Sequence, residues 1–192
     1  MKRLFLFVLL AGVTFFNAYS QDSHIMFRGV PMDNLDNIEK NLLDGGFVNT
    51  GELSSTSKTY KGTFGGVDNC FVTILFTPIS KSVAQIVVSY PVRDKWIDLL
   101  KDFYNASMSL VVKYHVPIED RKYEFVSESC KGHELDCLAN EAGISYFHMW
   151  EIPNGGITLK MDSSLRIILR YYDDNNTELF KKEKFKSAYN DF

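Results

Sequence analysis

Apolar residues recur at helical spacing in two segments of the chain. In the first, they occupy positions 35, 38, 42 and 43; Asp33 is the candidate N-cap, and Gly45 and Gly46 can end the helix. In the second, they recur at steps of three and four over residues 96–114, with Asp94 as the candidate N-cap. His115 stands where a helix end commonly has glycine, and histidine tolerates the left-handed conformation better than a β-branched residue does. The pattern predicts one short and one long helix.

Strand patterns, in which apolar and polar residues alternate or apolar residues run together, follow each helix. The strands predicted in this way are Tyr60–Phe64, Cys70–Thr77, Val83–Tyr90, Tyr123–Ser127, Ile144–Glu151, Ile157–Met161 and Leu165–Tyr172. A segment rich in Ser and Thr, residues 50–59, is predicted to be a loop, and residues 134–141 a short helix closed by Gly143. The sequence GGVDN at 65–69 precedes a strand rather than a helix, which favours a hairpin connection over a phosphate-binding loop. PNGG, before Ile157, is predicted to have the same role.

The order of these elements predicts the architecture. It is helix, three strands, long helix, then three or four strands, and strands joined by a few residues pair antiparallel. We expect an α+β fold of two units, each a helix followed by an antiparallel meander, with the sheet or sheets packed on the long central helix. The predicted boundaries are 21–91 and 92–176 for the two units, which together form one compact domain. Residues 177–192 form a charged tail, expected to be a loosely attached helix or a disordered end.

The N-terminal residues have the form of a signal peptide. Lys2 and Arg3 precede an uncharged apolar run over residues 4–16, and small residues at 18 and 20 occupy the positions that a signal peptidase reads. We expect residues 1–20 to be removed, which makes the chain an exported protein, periplasmic or secreted, without a stable membrane span. An uncleaved anchor is the alternative.

Composition narrows the class of partner. The 192 residues carry 21 Lys and Arg against 24 Asp and Glu, a net charge of −3, and no basic run. A mildly acidic chain of this kind argues against a nucleic-acid partner. The hydrophobic content of 45% and aromatic content of 14% are typical of a packed globular domain.

The three cysteines would meet an oxidising compartment after export. Cys130 and Cys137 are the closest pair in sequence, and a loop folded back on a short helix would allow a disulfide between them. Three free thiols, with Cys70 as a small buried hydrophobe, are the alternative. Cys130, His133 and Cys137 are also zinc-ligand types, but their spacing is not a common one and no second half of a site follows. We predict no metal and no cofactor.

No motif of a known catalytic class appears in the chain. The sequence has no zincin helix motif, no nucleophile elbow and no phosphate-binding glycine motif. Cys137 has His133 four residues before it, as a cysteine nucleophile with a histidine base could have, but this spacing often arises by chance. The acidic run at 173–176 lacks the glycine and the distal glutamate of a calcium loop, so a turn at a strand end is expected there. The sequence therefore favours a non-enzymatic protein.

Three pieces of the chain carry a resemblance to small uncharacterised exported bacterial proteins. They are LVVKYHVP at the end of the long helix, GGITLKMDSSLRIILRYYD in the last hairpin, and the closing YNDF. In its order of elements, most of the chain is similar to the β-lactamase-inhibitor-protein type of fold, in which tandem helix-plus-sheet units make a concave sheet that grips a partner protein. It is also similar to small outer-membrane assembly factors with a helix-and-meander unit. The resemblance implies a protein-binding role and carries over no functional residues.

The last three predicted strands suggest a contact face. One side of the final two is apolar, while the other carries basic residues. Strand 144–151 admits two registers. If Phe147 and Met149 are core, its other aromatic residues join the basic side; in the second register Tyr146 and Trp150 are core. Arg beside aromatic residues is typical of interface centres. The candidate binding face consists of Tyr146, His148, Trp150, Lys160, Arg166, Arg170 and Tyr172.

We therefore expect an exported, non-enzymatic module that binds a protein or an envelope component through this sheet face. Two alternatives stay open at the level of sequence. One is a periplasmic hydrolase with an unfamiliar site, and the other is a small-ligand carrier, which needs an apolar cavity between sheet and helices.

Overall fold

The structure, a computed structural model of the chain, describes residues 24–118 and 121–190, with side chains to residue 186. The predicted signal peptide, residues 1–20, lies outside the described residues. A short hairpin precedes one large antiparallel sheet of eight strands, whose order is β3-β4-β5-β6-β10-β9-β8-β7. The elements are β1 Met26–Phe27, β2 Val30–Pro31, α1 Leu35–Asp44, β3 Val48–Ser54, β4 Ser57–Phe64, β5 Val67–Phe76, β6 Val83–Ser89, α2 Trp96–Tyr114, β7 Tyr123–Val126, α3 Glu134–Ala139, β8 Ile144–Ile152, β9 Gly155–Asp162, β10 Arg166–Asp173 and α4 Asp174–Asn190.

The α+β class and the packing of helix on sheet are confirmed. Two four-stranded meanders, β3–β6 and β7–β10, lie side by side, and β6 pairs with β10 to join them. The long helix α2 packs across β8, β9 and β10. The division of the chain at residue 91 stays a prediction.

Both predicted helices form, but neither begins with the expected cap. Asn34 caps α1, and its side chain accepts a hydrogen bond from the backbone N–H of Asp36 at 2.7 Å. Lys95 is the N-cap of α2 and provides no side-chain cap. The prediction for His115 is confirmed, because it ends α2 with φ of 67°.

The Ser- and Thr-rich segment is not a loop, and the prediction is wrong there. It forms β3 and the start of β4, joined by a short turn. Every residue of β3 is exposed, so this edge strand has no apolar alternation that sequence reading could detect.

The two glycine pairs of the sequence have different roles. Gly65 and Gly66 form the two-residue turn between β4 and β5, both with positive φ, as the hairpin prediction requires. The turn between β8 and β9 is instead Pro153-Asn154, since Ile152 pairs with Gly155. Gly155 and Gly156 belong to β9, and a Cβ at Gly156 would collide with the ring of Tyr172, so its absence lets that ring lie against the sheet.

The two faces of the sheet differ in burial. The helix face packs against α1 and α2, and its residues alternate with those of the open face, which are half-buried or exposed. The predicted core residues of the last two strands, Ile157, Leu159, Ile167 and Leu169, all lie buried on the helix face.

The charged tail is helical as far as residue 190, as one of the two expectations for it stated. The helix, α4, is hydrogen-bonded to the rest of the fold and is not loosely attached. α4 follows β10 directly, and its buried Asn176 donates from Nδ2 to the carbonyl oxygens of Met32 and Val83, at 2.7 and 3.0 Å. Two turns further along α4, the carboxylate of Glu183 accepts hydrogen bonds from the backbone N–H groups of Ile79 and Ser80.

Cys130 and Cys137 are joined by a disulfide, the first of the two arrangements that the sequence left open. Cys130 ends a single 3-10 turn and Cys137 lies in α3, with a Cα–Cα distance of 5.9 Å. The bridge fixes the connection between β7 and β8. Cys70 is a buried free thiol on β5, and burial raises its pKa to about 11.

Candidate functional site

The structure places the predicted binding residues on both faces of the sheet. Lys160, Arg166, Arg170 and Tyr172 lie on the open face. Trp150 and His148 are only 2% and 3% exposed and lie on the helix face, together with the half-buried Tyr146. A single face containing all seven residues therefore does not exist.

The pairing of β8 with β9 explains this correction. His148 lies opposite Leu159 and Trp150 opposite Ile157. Directly opposed residues in an antiparallel ladder share a face, and both β9 partners are core residues. The second register of the sequence analysis is thus the one adopted.

Tyr146, His148 and Trp150 are absent from the open face, but other aromatic and apolar residues lie there. On β8 they are Phe147 and Met149, since Phe147 pairs with Lys160 of the open face. Tyr123 and Phe125 of β7 are exposed beside them, and Phe71 of β5 lies at the other end of the sheet. The sequence analysis missed Phe147 and Met149 as open-face residues. It obtained a contact face only from the register that places these two residues in the core.

Four basic residues lie on the open face, and the described residues provide no carboxylate partner for any of them. They are Lys61, Lys160, Arg166 and Arg170. Lys61 lies over the ring of Phe71 at 5.7 Å. Arg166 is opposite Asp162 in the ladder without forming an ion pair, and its Nε is enclosed with no hydrogen-bond partner among the described residues.

Two cations on the helix side of the sheet form ion pairs with carboxylates. Lys58 reaches Glu39 of α1 at 2.7 Å, and Arg93 reaches the buried Asp102 of α2 at 2.7 Å. The pKa of the Arg93 guanidinium is raised, first by its hydrogen bond to Asp102. Other described cations, Arg28 and Lys113 among them, also form no ion pair, so the open face is distinguished by having four such cations beside exposed aromatic rings.

A depression of about 450 Å³ lies on the open face where β3 meets the centre of the sheet. Its lining includes Phe71 and Thr73 of β5, Ser89 at the end of β6, Arg166 of β10 and the exposed Leu53 of β3. It combines apolar surface, hydroxyl groups, the guanidinium of Arg166 and the carboxylate of Glu52, which suits a side chain or loop of mixed character.

A buried hydrogen-bond chain, Ser107–His148–Glu124, crosses from α2 to the sheet. The Oγ of Ser107 lies 2.9 Å from Nδ1 of His148, and Nε2 of His148 lies 2.6 Å from Oε1 of Glu124. An ionised carboxylate only accepts, so Nε2 carries the proton and Nδ1 accepts from the Ser107 hydroxyl. Tyr104 donates to the other oxygen of Glu124 at 3.0 Å.

These residue types are those of an acyl-transfer triad, but their placement favours a structural role. A nucleophile must reach its substrate, and Ser107 is 5% exposed between α2 and β8. The chain ties α2 to β7 and β8, and Phe103 packs edge-on against the imidazole at 4.9 Å.

The stability of the protein should depend on the protonation of His148. Its pKa is lowered below 6.5, first by burial, with a smaller lowering by Lys122 and an opposing effect of the Glu124 hydrogen bond. The unfolded chain therefore binds a proton at higher pH than the folded one. The contribution of neutral His148 is complete above pH 6.5 and is lost as the pH falls through the folded pKa.

We expect the free energy of unfolding, measured with urea between about pH 5 and 8, to decrease on acidification by at most about 1.4 kcal/mol per pH unit from this group. In His148→Gln, which can still donate to Glu124, the profile should be flatter over the same interval. Identical slopes for the two proteins would contradict a depressed pKa, since all other titrating groups are common to both.

Within residues 24–118 and 121–190, no helix is both long and apolar enough to cross a membrane. The same residues contain no group of three or more His, Cys, Asp or Glu side chains placed to hold a metal ion. Comparison of the chain with protein-family models, with curated proteins and with solved structures finds no match in any of the three.

Proposed function

We propose that the chain is an exported, non-enzymatic module that binds a partner protein through the open face of its sheet, and that the bound surface is acidic. The observation that carries the proposal is the set of four basic side chains on that face, none paired with a carboxylate among the described residues, beside exposed aromatic rings. Arg and aromatic side chains together form the centres of protein interfaces.

The unpaired state of these cations supports a partner that supplies the missing charge. Enclosed polar groups usually have a hydrogen-bond partner, and one of the two exceptions among the described residues, Arg166 Nε, belongs to this face. A partner carboxylate beside the half-buried guanidinium would supply the charge that the described residues do not, with a charge-assisted hydrogen bond. Since the backbone of paired strands is already ordered, docking on this face loses side-chain entropy but little backbone entropy.

A protein partner fits the open face better than a nucleic acid does. Four cations on a chain of net charge −3 are few for a phosphate backbone, and apolar residues lie between them. The depression beside Arg166 has room for one protruding acidic loop. The predicted signal peptide supports a partner outside the cytoplasm.

The test compares capture of envelope proteins by three forms of the chain lacking residues 1–20. Wild type is expected to retain one specific protein. Arg166→Glu/Arg170→Glu should retain it at least about tenfold less, because both substitutions repel an acidic surface at the centre of the face. The control, Lys95→Glu/Lys101→Glu, has the same net charge but changes two exposed residues on the helix side, and should behave as wild type.

The captured protein is then purified and its binding is measured directly at low and high salt. The proposal requires weaker binding at high salt and the same order among the three forms. Equal affinity of all three forms contradicts it. A second result would also contradict the proposal. If no captured protein distinguishes the three forms, but Arg166→Glu/Arg170→Glu alone loses binding to vesicles that contain an anionic phospholipid, the face binds a lipid surface instead.

A further inference from the structure

A second cavity, of about 200 Å³, lies on the opposite side of the sheet, beneath α2. Its floor is formed by the central strands through Tyr90, Leu169 and Tyr171, and its roof by Ala106 and Leu110 of α2. The β4–β5 turn closes one side. These five floor and roof residues are buried, whereas Gly65 of the turn and Asn105, Ser109 and Lys113 of α2, which also line the cavity, are exposed, so the cavity opens to solvent on one side.

Two buried tyrosines, Tyr90 and Tyr171, line this cavity. Tyr90 is 3% and Tyr171 7% exposed, yet neither hydroxyl has a hydrogen-bond partner among the described residues. The enclosed polar side-chain atoms without a partner are Asn41 Oδ1 and Arg166 Nε, so the two hydroxyls are not sealed in the protein. Both belong to lining residues, and the cavity is where they open.

The chemistry of these hydroxyls is that of donors. Burial raises the pKa of Tyr90 and of Tyr171 well above the ordinary value, so both stay protonated at any physiological pH. A donor that opens only into a cavity gains a hydrogen bond when an acceptor enters the cavity.

The rim of the cavity is positively charged. Among the described residues that line it, the charged ones are Arg28, in the β1–β2 turn, and Lys113, on α2, and none is acidic. Arg28 lies over the ring of Phe47 at 5.2 Å and Lys113 over that of Tyr114 at 5.0 Å. Among the described residues neither cation forms an ion pair with a carboxylate.

We propose that this cavity binds a small organic monocarboxylate with an apolar body about the size of one ring. The carboxylate accepts hydrogen bonds from the hydroxyls of Tyr90 and Tyr171, Lys113 and Arg28 balance its charge, and the apolar body packs between α2 and Leu169. The volume fits this class, because a cavity of about 150 Å³ already admits a benzene ring. The site lies on the face of the sheet away from the proposed protein interface and stands independently of it.

Titration with phenylacetate, followed by amide chemical shifts in two-dimensional NMR spectra, tests the proposal. We expect saturable shifts confined to the middle of α2 and to β10 around Leu169, with a dissociation constant of about 1 mM or lower. The uncharged analogue phenylacetamide should bind at least about fivefold more weakly, because it gains nothing from Lys113 and Arg28.

Variants separate the roles of the lining groups. Tyr90→Phe and Tyr171→Phe should each weaken binding about three- to tenfold, since each removes one donor. Ala106→Leu should abolish it by filling the cavity. Tyr172→Phe, which removes a hydroxyl from the open face, is the matched control and should bind as wild type does.

Three results would overturn the proposal. They are shifts that do not saturate at about 10 mM phenylacetate, equal affinity for the acid and the amide, and unchanged affinity in both the Tyr90 and Tyr171 variants when the spectra show that they are folded. Failure of this site leaves the capture experiment on the open face unaffected, because none of the residues changed there lines the cavity.

Discussion

Replacing Asp173 with alanine is expected to lower the free energy of unfolding by about 3–5 kcal/mol, because the change removes the centre of a buried hydrogen-bond cluster and leaves three donors without their acceptor. Asp173 ends β10 and is fully buried. One carboxylate oxygen accepts from Nδ1 of His24 at 3.0 Å and from the backbone N–H of Ile25 at 3.2 Å. The other accepts from the backbone N–H of Asn176 at 2.9 Å. A single carboxylate thus holds the N-terminal segment, the central strand and α4 together.

Urea denaturation at neutral pH measures this effect, and the neighbouring residue provides the control. Asp174 is exposed at the first position of α4, so Asp174→Ala should cost no more than about 1 kcal/mol, the usual loss for a charge at a helix N-terminus. Comparable losses in the two variants would show that Asp173 does not connect these three segments.

Replacing Trp150 with alanine should also destabilise the protein by about 3–5 kcal/mol, the range observed when a large aromatic side chain is removed from a core. The indole is 2% exposed, and its Nε1–H donates to the carbonyl oxygen of His115 at 3.0 Å, which fixes the end of α2 on the sheet. Trp150→Phe keeps most of the apolar volume and leaves that carbonyl without its donor. It should cost about 1–3 kcal/mol.

The control for Trp150 is Tyr123→Ala, because Tyr123 is a large aromatic residue on the open face and is 54% exposed. It should change the free energy of unfolding by less than about 1 kcal/mol. If Trp150→Ala instead left stability unchanged within about 0.5 kcal/mol, the indole would lie on the solvent side, and the other register of β8 would be correct.

The register of β8 shows what the sequence could and could not predict about the candidate site. Phe147 and Met149 on one side, and His148 and Trp150 on the other, are all large enough to fill a core, so alternation alone does not choose between the two sides. The choice is made by partners distant in sequence: Ile157 and Leu159 in the ladder, and Ser107 on α2. In β10, where apolar and basic residues alternate, the face was predicted correctly.

The fold was more accessible to prediction than the site, since most of its elements depend on local patterns. The periodicity of α2 and the glycine turn after β4 are readable in short windows. β3 and the attachment of α4 are not, because both are fixed by contacts with other parts of the chain. β3 is held by its ladder with β4, and α4 by bonds from Asn176 and Glu183 to backbone groups far away in sequence.

The ladder between β6 and β10 also determines how the chain can fold. Val88 faces Leu169 across it, although α2 and three further strands lie between them in sequence. Contacts between residues this far apart in sequence carry a large loop-closure entropy, so we expect the ladder in the middle of the sheet to form after the ladders within each meander. A chain cut before α2 would leave β6 as an edge strand, with unpaired backbone groups beside Val83, Ile86 and Val88. Each half therefore protects the other from self-association.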